Sequence, residues 1–343
     1  MNDHGESHDD PLAATGGAVT RRRLILALGS ALVLRGPSAW AQTRPVHRVA
    51  WLSGSREADT VESFAAFLDG LRDLGYRQGD NLVVEARWAD YVPERATQLA
   101  GELAALRPAV IVTQGAAHGP AVRHSPPLPV VFLHSGDPVE AGLAESFARP
   151  GRNGTGISLL ALDLTGKRME LLKQMVPNLR RVAFLANPEH PGEQRELAAS
   201  RAAAAQLGLA VTYYQTRNPA ELDTALVAVA AARPEGAVLF SDALMVGQRQ
   251  KLGAFFLKHR IPSATGWSDF PESGHLLSYG PDRRAAWRRL AYFVDKIVKG
   301  ARPADLPIEL PTVFEMVVNR RTATGMNLVL PPAILLRADR VIE

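Results

Sequence analysis

The stretch RVAWLS at residues 48–53 is nearly repeated as RVAFLA at residues 181–186, 133 residues further along the chain. Two more pairs keep the separation of 133 residues: Leu74-Gly75 with Leu207-Gly208, and Leu128-Pro129 with Ile261-Pro262. The repeat predicts two similar lobes, each with strands and helices in the same order. Two lobes in one chain form a cleft, and clefts between domains are preferred sites for small ligands.

Apolar runs alternate with amphipathic stretches in both halves. Such runs are typical of strands that are buried on both faces of a parallel sheet. The predicted strands are residues 46–52, 81–88, 109–113, 129–133, 182–185, 210–215, 236–240 and 263–265. The predicted helices are residues 61–74, 94–106, 193–207, 220–232 and 246–259. This alternation favours an α/β fold: two Rossmann-like lobes with parallel sheets and right-handed crossovers.

The tail after the repeat holds a predicted helix at 282–299, a strand at 314–319 and a short helix opened by Pro331-Pro332. A tail that leaves one lobe and returns gives hinge crossings between the lobes. We therefore predict an N-terminal lobe of residues 46–157 plus about 281–307, and a C-terminal lobe of residues 158–280 plus about 308–343.

The first 41 residues have the pattern of a cleaved export signal. Arg21-Arg22-Arg23 precede an apolar run at 24–34, and Ala39-Trp40-Ala41 gives a small-residue cleavage site. The arginines fit a twin-arginine signal, and an ordinary export signal is the alternative. The chain contains no cysteine, which excludes a lipid-modified cysteine, cysteine nucleophiles and thiolate metal sites. We expect a soluble periplasmic protein without a lipid anchor.

The net charge of +4 is spread along the chain without a dense basic block. Nucleic-acid binding needs a concentrated basic footprint, so we expect no nucleic-acid partner.

Candidate site residues follow the predicted strands, because ligands of open parallel sheets bind outside the carboxyl ends of the strands. Asp137 and Asp242 have the charge to hold an ammonium group, and Trp267 and Tyr279 have rings that stack on a ligand. The same residue types are also ordinary turn and cap residues, which is the alternative for each one. The full candidate set is Ser53, Gly54, Gln114, Gly115, Ala116, Ser135, Asp137, Asn187, Asp242, Gly266, Trp267 and Tyr279.

Catalytic and metal-binding patterns are weak. His118, His124 and His134 lack the spacing of metal ligands, and we interpret them as solvated or capping residues. Ser53 lacks the G-x-S-x-G context of a nucleophile elbow. We predict no enzymatic activity, no cofactor and no metal, and an exported enzyme using the same cleft is the alternative.

Five stretches together resemble the ABC transporter substrate-binding protein family of the tryptophan/tyrosine type. They are GLRDLGY at 70–76, DPVEAGL at 137–143, ARPGRNGTG at 148–156, GKRMELLK at 166–173 and YFVDKIVKG at 292–300. The resemblance implies a type I periplasmic binding protein fold, in which hinge closure encloses a small ligand. It also implies that ABC permease transmembrane subunits are the partner and that the protein is a monomer.

Relatives in this family that carry ligands bind aromatic amino acids. For this chain the resemblance therefore implies an aromatic amino acid or a related small organic acid, delivered to the permease. The contacts it implies come from Gly115-Ala116, Asp137, Asn187, Asp242 and the segment 265–267.

Overall fold

The computed structural model describes residues 45–124, 128–159, 164–188, 190 and 193–343. The predicted export signal at 1–41 lies outside the described residues and stays a prediction. Within the described ranges, no helix combines the length and the apolar character that crossing a bilayer requires.

The first sheet has five parallel strands in the order β2-β1-β3-β4-β5. The strands are β1 (His47–Ser53), β2 (Leu82–Trp88), β3 (Val110–Gln114), β4 (Val130–His134) and β5 (Gly154–Ser158). Their connections include the helices α1 (Val61–Asp73), α2 (Pro93–Ala105) and α3 (His118–His124). The part of the chain built on this sheet is called the first lobe.

The second sheet has seven strands in the order β12-β11-β10-β9-β8-β6-β7. They are β6 (Arg181–Ala186), β7 (Ala210–Gln215), β8 (Gly236–Leu239), β9 (Ser263–Thr265), β10 (Leu277–Pro281), β11 (Phe314–Asn319) and β12 (Arg340–Ile342). β11 runs antiparallel to β10, and the other pairs are parallel. The part of the chain built on this sheet is called the second lobe.

The described residues of the second lobe and the tail include further helices. They are α4 (Thr165–Met175), α5 (Glu193–Gln206), α6 (Pro219–Ala232), α7 (Ala243–Gly247), α8 (Arg249–His259), α9 (Asp269–Glu272), α10 (Arg283–Val298), α11 (Arg320–Gly325) and α12 (Pro332–Arg337).

The predicted α/β fold with two lobes of parallel strands is confirmed. The first five strands of each sheet follow one order, because β6 to β10 occupy the places of β1 to β5. The fifth strands share a close backbone approach. A Cβ at Gly156 of β5 would lie 2.0 Å from the carbonyl oxygen of Phe132, and a Cβ at Gly280 of β10 would lie 1.9 Å from that of Gly266. Glycine is therefore required at both positions.

One predicted helix is wrong in its extent. Residues 246–259 form the end of α7 and all of α8, with a break at Gln248. The start of α7 lies further upstream, because the Asp242 carboxylate accepts a hydrogen bond from the backbone N–H of Met245 at 2.8 Å. An aspartate at this N-cap position satisfies a backbone donor that the helix leaves unpaired. Strand β5 and helix α4 were not predicted.

Helix α10 follows β10 of the second lobe but packs on the first lobe. A Cβ at Gly70 of α1 would lie 2.3 Å from the Arg288 carbonyl oxygen, so the two helix backbones nearly touch. The rings of Trp51 in β1 and Trp287 in α10 lie 5.1 Å apart between centroids, and both side chains are buried. The chain therefore crosses between the lobes on each side of α10. The lobe limits given above stay a prediction.

Candidate functional site

A cavity of about 370 Å³ lies between the carboxyl ends of the strands of the two sheets. The first lobe lines it with Ser55 after β1, Gln114 at the end of β3 and Ser135 after β4. The second lobe lines it with Asn187 after β6 and Asp242 after β8. The predicted location of the site, at the strand ends of both lobes, matches this cavity.

Half of the predicted site residues line this cavity. They are Gln114, Gly115, Ser135, Asn187, Asp242 and Trp267. Five others lie outside its lining: Ser53, Gly54, Asp137, Gly266 and Tyr279. The side chain of Ala116 lies outside the described residues.

Local hydrogen bonds explain why three of these lie outside. Ser53 is buried, and its hydroxyl oxygen accepts from the backbone N–H of Ser55 at 3.1 Å. The Gly54 N–H donates to the Gln114 carbonyl at 3.0 Å, which ties together the loops after β1 and β3. The Asp137 carboxylate accepts from the Val139 N–H at 2.7 Å, so it caps a turn.

Packing in the second lobe accounts for two more. The Tyr279 carbonyl accepts from Nε of the buried Arg168 at 2.9 Å. A Cβ at Gly266 would lie 2.3 Å from the Ser241 hydroxyl and 2.8 Å from Nη2 of Arg168. Gly266 therefore provides space for the loop that carries Trp267. Ala116 belongs to a short 3-10 helix, Gly115–Ala117.

Asp242 is the carboxylate of the cavity wall. Burial raises its pKa above the usual value, while the positive charge of His190 and hydrogen bonds from the Met245 backbone and the Asn187 side chain act in the opposite direction. The side chain is only 5% exposed. A buried carboxylate with these neighbours gains most from a positively charged partner in the cavity.

The histidines of the cavity correct the prediction that His118 and His134 are solvated or capping residues. Both are buried, with exposures of 4% and 5%. Nδ1 of His118 lies 2.8 Å from the Thr113 hydroxyl. Burial lowers the pKa of His118 to about 3 and holds the pKa of His134 well below its usual value. Both imidazoles are therefore neutral at pH 7. The side chain of His124 lies outside the described residues.

His190 brings the two lobes together at the cavity. Its Nε2 lies 2.6 Å from the hydroxyl oxygen of Ser135, and its ring is stacked parallel to that of His134. Because His190 follows β6 and Ser135 follows β4, this hydrogen bond connects the two lobes. The signal that would have indicated His190 is its place in the loop after β6.

The apolar part of the cavity is built around two tryptophans. Trp267 follows β9, and Trp287 comes from α10. The Arg283 guanidinium stacks over the Trp267 ring at 4.5 Å from its centroid, and Arg283 also pairs with Asp269. Position in the sequence did not indicate Arg283 and Trp287, because they lie on a helix that reaches the cavity only through its long-range packing.

Several polar atoms in the cavity lining are buried without a hydrogen-bond partner among the described residues. They are Oε1 of Gln114, Nε2 of His134, and Nε1 of Trp267 and Trp287. An unpaired buried polar group costs free energy that a bound partner recovers. In the same ranges, no group of three histidine, aspartate or glutamate side chains is arranged to hold a metal ion.

Comparison with known proteins gives a consistent result. The family model described as "ABC transporter substrate binding protein" matches residues 57–342. A tyrosine-binding protein from Clostridioides difficile is 20% identical over 264 residues, covering 76% of this chain and 75% of the relative.

Two solved structures match over nearly their whole length. A conserved domain protein from Vibrio cholerae has a TM-score of 0.81 at 24% identity, covering 86% of this chain and 99% of its own. An ABC domain in complex with L-Trp from Streptococcus pneumoniae has a TM-score of 0.80 at 19% identity, covering 87% of this chain and 100% of its own.

Proposed function

We propose that this chain, which belongs to the ABC transporter substrate-binding protein family and has the type I periplasmic binding protein fold, is a periplasmic receptor. In this proposal the receptor closes on an aromatic amino acid or a related small organic acid and delivers it to an importer permease. The observation that carries the proposal is the cavity between the lobes, in which the buried Asp242 faces apolar and aromatic groups. Hinge closure follows because a ligand there contacts both lobes only when they are together.

In this proposal, Asp242 binds the ammonium group of the ligand. The carboxylate is buried and already accepts hydrogen bonds from Met245 and Asn187, which hold it in one orientation. A cation next to a desolvated carboxylate offsets part of the cost of burying that charge. Asn187 acts as the neighbour that orients the carboxylate.

Trp267, Trp287 and Leu143 form the proposed contact for the apolar part of the ligand. All three are nearly fully buried and line the cavity. Aromatic ligands gain from offset or edge-to-face packing on such rings, beyond the apolar area that they bury. Arg123 also lines the cavity, and we assign it the carboxylate of the ligand because a guanidinium binds a carboxylate with paired hydrogen bonds.

Isothermal titration calorimetry with four probes tests the proposal: L-tryptophan, L-tyrosine, tryptamine and indole-3-propionate. We expect the two amino acids to bind best, tryptamine to lose the carboxylate contact and indole-3-propionate to lose the contact with Asp242. Tight binding of indole-3-propionate with no binding of L-tryptophan would move the assignment to an organic acid. No heat from any of the four would contradict the aromatic ligand.

The same titration distinguishes binding from catalysis. A receptor returns its ligand unchanged, so mass spectrometry after overnight incubation should recover each probe intact. Conversion of a probe would favour the exported enzyme. For export, N-terminal sequencing of the protein from a periplasmic extract should show a start directly after Ala41.

A further inference from the structure

Asp59 joins the two lobes at a point outside the cavity lining. It ends a short 3-10 helix (Glu57–Asp59) that follows β1 of the first lobe. Its Oδ1 accepts from Nη1 of Arg249 at 2.9 Å, and its Oδ2 accepts from the Tyr91 hydroxyl at 3.0 Å. Arg249 begins α8 of the second lobe, so the ion pair crosses between the lobes.

This ion pair is better shielded than an ordinary surface pair. The side chains of Arg249 and Asp59 are 21% and 17% exposed, whereas Arg72 and Asp69, paired within α1, are 65% and 28% exposed. Solvent and salt screen a partly buried pair less than an exposed one. Burial and the Asp59 charge raise the pKa of Tyr91, so its hydroxyl remains a donor at pH 7.

Hydrogen bonds hold the backbone at Tyr91 in a strained conformation. Asp90 and Tyr91 have φ values of 53° and 64°, the left-handed region that side chains other than glycine rarely adopt. The Tyr91 N–H donates to the Gly54 carbonyl at 2.8 Å, and the Asp90 N–H donates to the Ser55 carbonyl at 3.3 Å. Two consecutive strained residues persist only where surrounding contacts fix them, and such residues cluster at functional contacts.

The Tyr91 ring reaches across to the second lobe and packs on the backbone of Gly247. A Cβ at Gly247 would lie 2.8 Å from both Cζ and Oη of Tyr91. Gly247 is the last residue of α7, and the Arg249 guanidinium also donates to the Val246 carbonyl at 2.9 Å. Tyr91 and Arg249 therefore fix the junction between α7 and α8.

Helix α7 connects this junction to the cavity. It is five residues long, and its N-cap is Asp242. At about 1.5 Å of rise per residue, the junction and the cavity carboxylate are separated by little more than one helical turn. Val246, whose carbonyl accepts from Arg249, also lines the cavity. A displacement at the junction therefore moves the cavity wall.

We propose that Asp59, Tyr91 and Arg249 form an interlobe latch that holds the lobes together and positions α7, and with it Asp242, for the ligand. These are positioning residues, because they act through α7 rather than on the ligand itself. The part of the proposal that concerns ligand affinity rests on the proposed function above. The interlobe contact itself does not depend on which ligand the cavity takes.

Stopped-flow kinetics with L-tryptophan test the latch. Arg249→Met removes the ion pair, and we expect the dissociation rate to rise about tenfold while the association rate changes less, since a latch acts mainly after closure. Tyr91→Phe removes one hydrogen bond and should raise the dissociation rate about threefold. Arg249→Lys keeps the charge and should restore part of the effect. Arg72→Met, which breaks a pair within α1, is the matched control and should leave both rates unchanged.

A distance measurement separates failure of the latch from failure of the ligand assignment. The chain has no cysteine, so Glu102→Cys on α2 and Val227→Cys on α6, both exposed, accept spin labels selectively. Pulsed electron paramagnetic resonance then gives the distance between the lobes. Arg249→Met should lengthen or broaden it, both with and without L-tryptophan.

Each result has a defined meaning. If L-tryptophan does not bind, the aromatic assignment fails, and the latch is judged on the ligand-free distances alone. If Arg249→Met leaves these distances and any measurable dissociation rate equal to those of Arg72→Met, the latch is overturned.

Discussion

The two lobes share a strand order but present different chemistry to the cavity. The first lobe contributes His118 and His134, which burial keeps neutral at pH 7. The second lobe contributes Asp242, oriented by Asn187. The repeat thus preserves where the loops lie, while the residues on those loops differ. The second lobe therefore presents a carboxylate to the cavity, and the first lobe presents neutral imidazoles together with the Arg123 guanidinium, so the cavity favours a ligand bound in a single orientation.

The largest expected effect is a loss of stability at the glycine that both lobes require in their fifth strand. In Gly156→Ala the new Cβ meets a backbone oxygen at 2.0 Å, and in Gly280→Ala at 1.9 Å. A backbone oxygen cannot move away by changing rotamer as a side chain can, so we expect each variant to lower the free energy of unfolding by about 3 kcal/mol or more. Urea unfolding followed by circular dichroism measures this. Gly101→Ala, with no atom within 4 Å of its added Cβ, is the control and should cost nothing. Wild-type stability of either variant would show that the lobes do not share this constraint.

The second prediction concerns the negative charge that Asp242 of the second lobe presents to the cavity. Asp242→Asn keeps the N-cap of α7, because asparagine caps as well as aspartate, but it removes the charge. We expect the affinity for L-tryptophan to fall about 100-fold, which corresponds to about 2.7 kcal/mol. Calorimetry measures the change. Asp69→Asn alters a carboxylate that pairs with Arg72 within α1, outside the cavity lining, and should bind as the wild type does. Equal affinity of the two variants would contradict the assignment of Asp242.

The third prediction compares how stability depends on pH for His118 of the first lobe and Glu196 of the second lobe. The pKa of His118 is lowered from 6.5 to about 3 by burial, so the unfolded chain takes up a proton that the folded chain excludes. Stability from this group is lost as the pH falls from 6.5 towards 3. Burial raises the pKa of Glu196 in the second lobe from 4.5 to about 8, so the folded chain keeps a proton that the unfolded chain releases. Stability from this group is lost as the pH rises from 4.5 towards 8.

Glu196→Gln isolates the second of these effects. Glutamine cannot ionise, so relative to the wild type the variant should gain about 1 kcal/mol or more between pH 5 and pH 8. Urea unfolding at the two pH values measures the difference. The loss of stability at low pH should be unchanged, since the buried histidines His118, His134 and His275, whose pKa values burial lowers, are intact. The same difference between variant and wild type at both pH values would contradict the raised pKa of Glu196.

The smallest expected effect concerns the aromatic wall. Trp267→Phe keeps an aromatic ring but reduces the surface on which Arg283 stacks. We expect about a fivefold loss of affinity for L-tryptophan, because the smaller phenylalanine ring offers the apolar part of the ligand less surface for aromatic packing. Calorimetry again gives the value. Trp88 lies outside the cavity lining, and its Nε1 donates a hydrogen bond to the Thr60 hydroxyl. Trp88→Phe should therefore leave the affinity unchanged.

The strands were the most predictable part of the molecule. Buried parallel strands read as apolar runs, and the repeat at 48–53 and 181–186 located β1 and β6 correctly. Strand β5 was not predicted, because its sequence, GTGIS, has the glycines of a loop rather than an apolar run. Its place is set by pairing with β4 and by the close approach of Gly156.

The candidate site was predictable only in part. Position after a strand indicated Gln114, Asn187 and Asp242, which line the cavity, and their contact with a ligand stays a prediction. It did not indicate that the side chain of Ser53 turns back to the Ser55 N–H, so that Ser55 lines the cavity instead. Nor did it indicate residues on helices, such as His118. Side-chain direction and long-range packing decide these cases.

The contact between Trp51 and Trp287 has a consequence for how the chain folds. The two rings lie far apart in the sequence, but they pack against each other in one hydrophobic core cluster that contains residues of both lobes. During synthesis, the first lobe therefore cannot complete its core until α10 has left the ribosome. Contacts of such high sequence separation slow folding and leave apolar surface exposed meanwhile. The second lobe has the same dependence, because its core includes Met316 and Val318 of β11, which is synthesised after α10. We therefore expect both lobes to become stable only once the tail has been made.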